Sequence, residues 1–281
     1  MTQAPARTIG WRLDYARRVL GTGFCFVVFG VVSLLAGMTV FPVLGLSTTD
    51  RATARRRVQG LTHRWFGMFC RLMSFVGILR YEIHGAERLQ VPGRLIVANH
   101  PSLIDVVLLI SCLPEVDCIV KRAIFENPFM KWPVTWLGYI SQSTPEQLIT
   151  DCAASLQKNH SLLVFPEGTR TVPGQPITMS HGAARMALEG NCTIVPVTIT
   201  CTPPHLFKHE PWYRAPVRRP HYVLSVGEPY PAARFLADAG GTPSVAARRL
   251  TRHWEQYFAA QTGGLAAHPL AQPTATPQYS P

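Results

Sequence analysis

From Val19 to Thr49 the chain carries no charged residue, and Val19–Leu46 is almost entirely apolar. About 20 such residues span a bilayer core, and the glycines at 21, 23, 30 and 37 are tolerated in membrane helices. A signal peptide has a shorter apolar core, roughly 7–15 residues, before a small-x-small cleavage site. No clean site of that kind lies near Leu46. The pattern predicts a membrane helix, with a signal peptide or a buried core helix as alternatives. A second apolar stretch, Trp65–Leu79, is interrupted by Arg71. It is too short and too charged to cross alone, and predicts an interfacial or re-entrant helix packed on the first. Arg51, Arg55, Arg56, Arg57 and Arg64 lie between the two stretches, and Arg7, Arg12, Arg17 and Arg18 precede them. A hairpin that enters and leaves by one face satisfies the positive-inside rule here, whereas a single crossing does not.

From Tyr81 onward, short apolar runs alternate with amphipathic ones. Strands are expected at Tyr81–His84, Leu95–Ala98, Cys118–Lys121, Tyr139–Gln142, Leu162–Phe165, Ile194–Ile199 and Tyr222–Val226. Helices are expected at Leu103–Cys112, Thr178–Glu189 and Val245–Gln261, and another opens at Thr144-Pro145-Glu146-Gln147. There Thr144 can cap, Pro145 takes the first helical position, and Gln147 can close a capping box. The alternation predicts an α/β fold, a mostly parallel sheet flanked by helices, with an N-terminal membrane-embedded helical segment. The expected division is a membrane-anchoring region at 1–80, an α/β domain at 81–262 and a disordered tail at 263–281.

Composition narrows the class. Hydrophobic residues make up 47% and charged residues only 15%, too apolar for a disordered polymer and below the roughly 25% charge of a soluble domain. Twenty-seven cations against 16 acids give a formal charge of +11. Nothing resembles a nucleic-acid-binding module, so the positive charge is better matched to a membrane surface. The seven cysteines are scattered and form no CxxC, which argues against a zinc ribbon or disulfide scaffold and for reduced thiols in a cytosol-facing protein. No metal is expected.

Two polar blocks follow buried strands. Leu95–Ala98 runs into Asn99-His100-Pro101-Ser102-Leu103-Ile104-Asp105, which predicts His100 at a helix cap at the carboxyl end of a strand, where open α/β sheets place their sites. Pro101 then sits in the first turn and Asp105 in the first or second. Helical spacing alone does not bring His100 and Asp105 together; the side chain must fold back over the helix start. If they meet, the carboxylate holds one ring nitrogen and leaves the other free to take a proton. The plainer alternative is an exposed His beside an ordinary helix-start Asp. The second block, Phe165-Pro166-Glu167-Gly168-Thr169-Arg170, pairs a glycine that permits close backbone approach with a guanidinium suited to phosphate or carboxylate. A turn closed by a Glu167–Arg170 ion pair is the alternative reading.

Taken together, the blocks carry a resemblance. Asn99–Asp105 is similar to the NHxxxxD motif of the glycerolipid (1-acylglycerol-3-phosphate, or lysophospholipid) acyltransferases, and Phe165–Arg170 matches that family's FPEGTR block letter for letter, in the family's order. Ile194–Val197 resembles its later proline-containing strand, and Lys121–Phe129 its lysine-led segment; the resemblance covers roughly residues 60–230. It implies a membrane enzyme, its site facing the cytoplasm, that moves an acyl group from acyl-CoA or acyl-carrier protein to a hydroxyl of a membrane lipid, with no permanently bound cofactor. By resemblance His100 is the general base and Asp105 holds its imidazole. Asn99, Ser102, Lys121, Arg122, Glu167, Gly168, Thr169 and Arg170 belong to the substrate site, with Arg170 near a phosphate. No nucleophilic Ser or Cys is required, and no G-x-S-x-G elbow occurs.

Two departures bear on the acceptor. The family often carries an Arg after its middle-block glycine, whereas Gly138 here is followed by Tyr139-Ile140-Ser141-Gln142-Ser143-Thr144. A Lys commonly precedes the Gly-Ala helix, whereas His181 stands there. Each charge-assisted contact is worth roughly 1.5–3 kcal/mol. Losing both weakens the hold on a phosphorylated acceptor unless Lys121, Arg122 and Arg170 compensate. The departures therefore favour an acceptor without phosphate, while the motifs keep a lysophospholipid acyltransferase as the leading expectation. Acylation of a non-glycerophosphate alcohol, such as an aryl polyene or aminolipid precursor, stands beside it. A non-catalytic membrane-tethered binding protein is the third reading.

Overall fold

The computed structural model describes residues 9–266; most of the expected C-terminal tail and Arg7 lie outside them. Helix α1 (Ile9–Leu35) continues through a π turn (Ala36–Val40) into α2 (Phe41–Leu46). Helix α3 (Arg51–Val76) returns along it, capped by the Asp50 carboxylate, which accepts from the Ala52 and Thr53 N–H groups. The cationic stretch expected between two apolar segments is thus the first half of one long helix. Its apolar positions face inward at helical spacing, with Ala54, Val58, Phe69, Cys70 and Met73 buried.

Strands β1 (Arg80–His84), β2 (Arg94–Ala98), β3 (Asp117–Val120), β4 (Ile140–Ser141), β5 (Leu162–Val164), β6 (Thr193–Thr202), β7 (His221–Val226) and β8 (Tyr230–Pro231) form one mixed sheet. Its order is β1-β7-β6-β2-β5-β3-β4, with β8 on β6. From β6 to β4 every neighbour is parallel; β7 runs antiparallel to β6, and β1 parallel to β7. The carboxyl ends of β2, β5, β3 and β4 therefore lie along one edge.

Both faces of the sheet are covered, which is why its central strands read as continuous apolar runs. Ile96 and Ala98 point to the side packed by α3 and by α4 (Asp105–Ile110), and Cys25 of α1 joins the same core. Leu95 and Val97 point to the side packed by α7 (Pro145–Gln157), α8 (His181–Glu189) and α10 (Pro243–Ala266), where Leu250, Trp254 and Phe258 are fully buried. Two short helices, α5 (Arg122–Glu126) and α6 (Lys131–Trp136), bridge β3 and β4, and α9 (Ala233–Asp238) precedes α10. Helix α6 packs against α2 at Gly45, where any side chain would run into the Trp136 ring. All seven cysteines are free thiols.

Three local expectations are corrected. The helix after β2 begins at Asp105 and not at Leu103, because Pro101–Ile104 forms a tight turn. Thr144 caps α7 through the Gln147 N–H, but the Gln147 side chain bonds Asp151 at 2.8 Å, so the capping box does not close. Helix α10 continues through residues 263–266, where a tail was expected.

Beneath the opposite edge of the sheet, Asp117 is buried. Its carboxylate accepts from Arg55 and Gln59 of α3, and from Ser155 of α7 at 2.5 Å. The long helical hairpin is thereby tied to the sheet by a buried ion pair as well as by packing.

Candidate active site

The turn Pro101–Ile104 delivers what helical spacing could not. The chain doubles back after β2, so Asp105, first residue of α4, faces His100, with Nδ1 2.9 Å from Asp105 Oδ2. His100 is not a helix cap; it stands in the loop between β2 and the turn. Its ring stacks on Phe165 at the end of β5, centroids 4.2 Å apart, and its side chain keeps a small opening to solvent.

Asp105 is completely buried. Oδ2 also accepts the Ser102 N–H at 2.7 Å, while Oδ1 has no hydrogen-bond partner among the described residues. Burial pushes its carboxyl up to about 6, against the lowering effect of the His100 hydrogen bond. With the carboxylate holding Nδ1–H, Nε2 is the nitrogen with a free lone pair.

Glu167 does not pair with Arg170. Its Oε1 accepts the His100 backbone N–H at 2.8 Å, and both of its oxygens lie within 3.0 Å of the Thr171 hydroxyl. Thr171 N–H donates back to His100 O at 2.7 Å. The two loops are thus strapped together at the backbone of His100, and burial raises the Glu167 carboxyl above the usual range. Gly168 has φ +65°, a left-handed conformation, and a side chain there would meet nothing within 4 Å. The glycine serves the turn, and no close approach within the protein requires it. Thr169 beside it is exposed.

Other expected substrate residues are engaged elsewhere. Asn99 is buried and straps β2 to β6, donating to Ile199 O at 2.8 Å and accepting from Ile199 N–H at 2.7 Å. Ser102 is also buried, with its hydroxyl 2.9 Å from the Tyr222 hydroxyl. Arg170 Nη1 donates to Leu206 O at 2.8 Å and Phe207 O at 3.2 Å, bracing the loop after β6. Lys121 is exposed at the end of β3, along the same sheet edge as His100 but two strands away; Arg122 is exposed and paired with Glu126 at 2.9 Å. Of the ten residues, the structure brings His100, Asp105, Ser102 and Glu167 together. It gives Asn99 and Arg170 bracing positions beside them, leaves Gly168 and Thr169 on the loop surface, and sets Lys121 and Arg122 apart.

Sequence reasoning missed Thr171, Tyr222 and the Leu206–Phe207 backbone. Thr171 directly follows the FPEGTR letters. Tyr222 is a buried strand residue whose partner is 120 positions away, and nothing local marks it.

Residues 80–200 match the model of the Acyltransferase family. The chain is 29% identical over 205 residues to a 1-acyl-sn-glycerol-3-phosphate acyltransferase of Saccharomyces cerevisiae, covering 69% of this chain and 63% of that one. A protein of the same name from Pseudomonas aeruginosa is 26% identical over 149 residues, 51% of this chain and 58% of its own. One from Helicobacter pylori is 32% identical over 114 residues, 38% and 48% respectively. The chain thus spans roughly half to two thirds of the length of these curated relatives. The crystal structure of the 1-acyl-sn-glycerophosphate (LPA) acyltransferase, PlsC, from Thermotoga maritima superposes with a TM-score of 0.70 at 19% identity, covering 91% of this chain and 100% of that one; the two share a fold. The match over residues 80–200 and these relatives make the chain similar to the acyltransferases of the 1-acyl-sn-glycerol-3-phosphate type.

Proposed function

We propose that the chain is a membrane-bound O-acyltransferase that moves a fatty acyl group from an acyl thioester to the free hydroxyl of a lysophospholipid of the 1-acylglycerol-3-phosphate type. The observation that carries this reading is the His100–Asp105 pair, at 2.9 Å, on the carboxyl edge of the sheet. His100 Nε2 takes the proton of the acceptor hydroxyl as its oxygen attacks the thioester carbonyl. The imidazolium returns that proton to the departing sulfur, giving an ester and a free thiol. Asp105 stays ionised, fixes the tautomer and offsets the imidazolium charge. Glu167 and Thr171 fix the backbone from which the base projects. Coenzyme A or acyl-carrier protein arrives with the acyl group as co-substrate, so no resident cofactor takes part.

The membrane reading rests on α1. The segment Gly10–Leu46 is 37 residues long and apolar enough to cross a bilayer, but one side of it lies against the protein, where Arg18, Thr22 and Cys25 are buried. The opposite side is an exposed apolar stripe of Leu13, Leu20, Phe24, Val27, Val31, Leu35 and Met38, spaced by three, four or seven residues. A helix shielded along one face and apolar along the other fits half-immersion in one leaflet better than a free crossing. The arginines at both ends of the α1–α3 pair fit a cytoplasmic leaflet.

One observation favours the second reading, an acceptor without phosphate. Arg170 Nη1, one nitrogen of the guanidinium expected to hold that phosphate, is committed to backbone carbonyls. Lys121 stands on the same sheet edge, two strands from His100. Intact-lipid mass spectrometry of cells with and without the protein separates the two. Loss of phosphatidate-derived species on deletion supports the first reading; unchanged glycerophospholipids with loss of another acylated lipid supports the second.

A further inference from the structure

The loop after β6 does two things at once. Near the site, Leu206 O accepts both the Leu103 N–H at 3.1 Å and Arg170, while the Glu210 carboxylate accepts the Leu206 N–H at 2.5 Å. Further on, the same loop runs along α1. The Trp212 ring packs over Gly23 and beside Phe26, with ring centroids 6.1 Å apart. Tyr15 donates to Tyr213 O at 3.3 Å, and Arg18 donates to the carbonyls of Pro216 and Val217. Arg219 then pins the loop's end to Leu79 O at 2.8 Å.

What this loop leaves outside is distinctive. Trp212, Tyr213 and Val217 are about half exposed, at 45%, 57% and 60%. Arg214 and Arg218 are exposed and have no acidic partner among the described residues. No acid occurs from Pro211 to Arg219. Two aromatic rings and an aliphatic side chain, interleaved with unpaired cations, match the headgroup level of a bilayer, where Trp and Tyr place an apolar body and a polar tip. Trp212 sits on Gly23, and Leu20, Phe24 and Val27 of the exposed stripe lie three, one and four positions from that glycine on α1, so the patch adjoins the stripe. Continuity with that stripe favours a lipid surface over a protein partner, and the unopposed positive charge favours an anionic one.

We propose that the Trp212–Arg218 loop is a second bilayer-contacting element that selects anionic lipid headgroups. The proposal rests on the membrane reading of α1 but assigns a separate role. The α1 stripe supplies apolar immersion irrespective of headgroup, whereas Arg214 and Arg218 supply the preference for negative charge. Because the other end of the loop holds Leu103 and Arg170, docking at the loop also bears on the turn that carries Asp105.

The test is partition of the full-length protein onto vesicles of phosphatidylcholine alone and onto vesicles with phosphatidylglycerol added. Wild type is expected on both, more strongly on the anionic set, with the excess removed by salt. Arg214→Gln with Arg218→Gln should weaken anionic binding by about fivefold per arginine and leave neutral binding unchanged. Trp212→Ala should weaken both. Phe24→Gln with Val27→Gln should weaken both through the stripe. If the double Arg variant keeps the full anionic preference of wild type, or wild type shows none, the loop proposal is overturned while the α1 reading stands. If wild type binds neither vesicle, the membrane reading fails and the loop proposal with it.

Discussion

The Tyr222 hydroxyl on β7 lies 2.9 Å from the Ser102 hydroxyl in the turn before α4. Both side chains are buried, and the Ser102 N–H donates to the same Asp105 oxygen that faces His100. A strand beyond the family-matched residues thus helps hold the carboxylate. Tyr222→Phe keeps the ring and removes one buried hydrogen bond, worth about 1 kcal/mol. It should lower kcat by roughly fivefold with acceptor KM unchanged. Ser102→Ala should do the same, and the double variant should be no worse than either. Steady-state kinetics of the three variants check this; additive losses would mean that the two hydroxyls act independently.

Asp105 gives two pH dependences of opposite sign. Its carboxyl is raised to about 6 by burial, so kcat/KM should fall as the pH drops through about 6, where the group that orients His100 takes up a proton. Stability runs the other way. An acid whose folded pKa lies above its unfolded value of about 3.9 stabilises the fold in its protonated form, and that stabilisation is lost as pH rises from about 4 to 6. Asp105→Asn cannot ionise. It should gain stability relative to wild type across that interval while losing activity. Melting curves at about pH 4 and about pH 7 show this as a change in the difference between the two proteins.

Arg170 braces the loop after β6 through the Leu206 and Phe207 carbonyls. Arg170→Lys keeps the charge but not the fork. It should lower kcat and the melting temperature, with equal KM changes for a phosphorylated acceptor and its dephosphorylated analogue. A KM increase confined to the phosphorylated acceptor would return Arg170 to phosphate binding.

The Arg55–Asp117 ion pair ties α3 to the sheet, with Asp117 at 1% exposure. Arg55→Met leaves a buried carboxylate with Gln59, Ser155 and the edge of His160 beside it among the described residues. Losing one partner of such a pair costs about 3 kcal/mol. Asp117→Asn in that background should recover part of the loss, because an amide needs no counter-charge. Denaturant midpoints of the two variants measure both effects.

How legible the molecule was depended on how local each cause is. The strands around Leu95–Ala98 and Leu162–Val164 could be read because burial on both faces leaves only apolar letters. Glu167 and Arg170 were legible as site residues but not in their roles, since their partners are backbone atoms of His100, Leu206 and Phe207, and a sequence does not show where a backbone passes. The expected helix start at Leu103 failed because the Ser102 N–H turns inward to Asp105, which closes a turn in place of a helical cap. The long apolar run marked α1 as hydrophobic, but only the packing of Arg18, Thr22 and Cys25 shows that one of its sides is already covered.

The most direct test of the account is thiol release from an acyl thioester by the full-length protein in vesicles, with and without 1-acylglycerol-3-phosphate, for wild type and His100→Ala. Wild type should release thiol only when the acceptor is present, in step with formation of the diacyl product. His100→Ala should keep the fold and vesicle binding and lose about 10²–10⁴-fold in turnover. Turnover by His100→Ala within threefold of wild type, or thiol release that ignores the acceptor, would contradict the assignment.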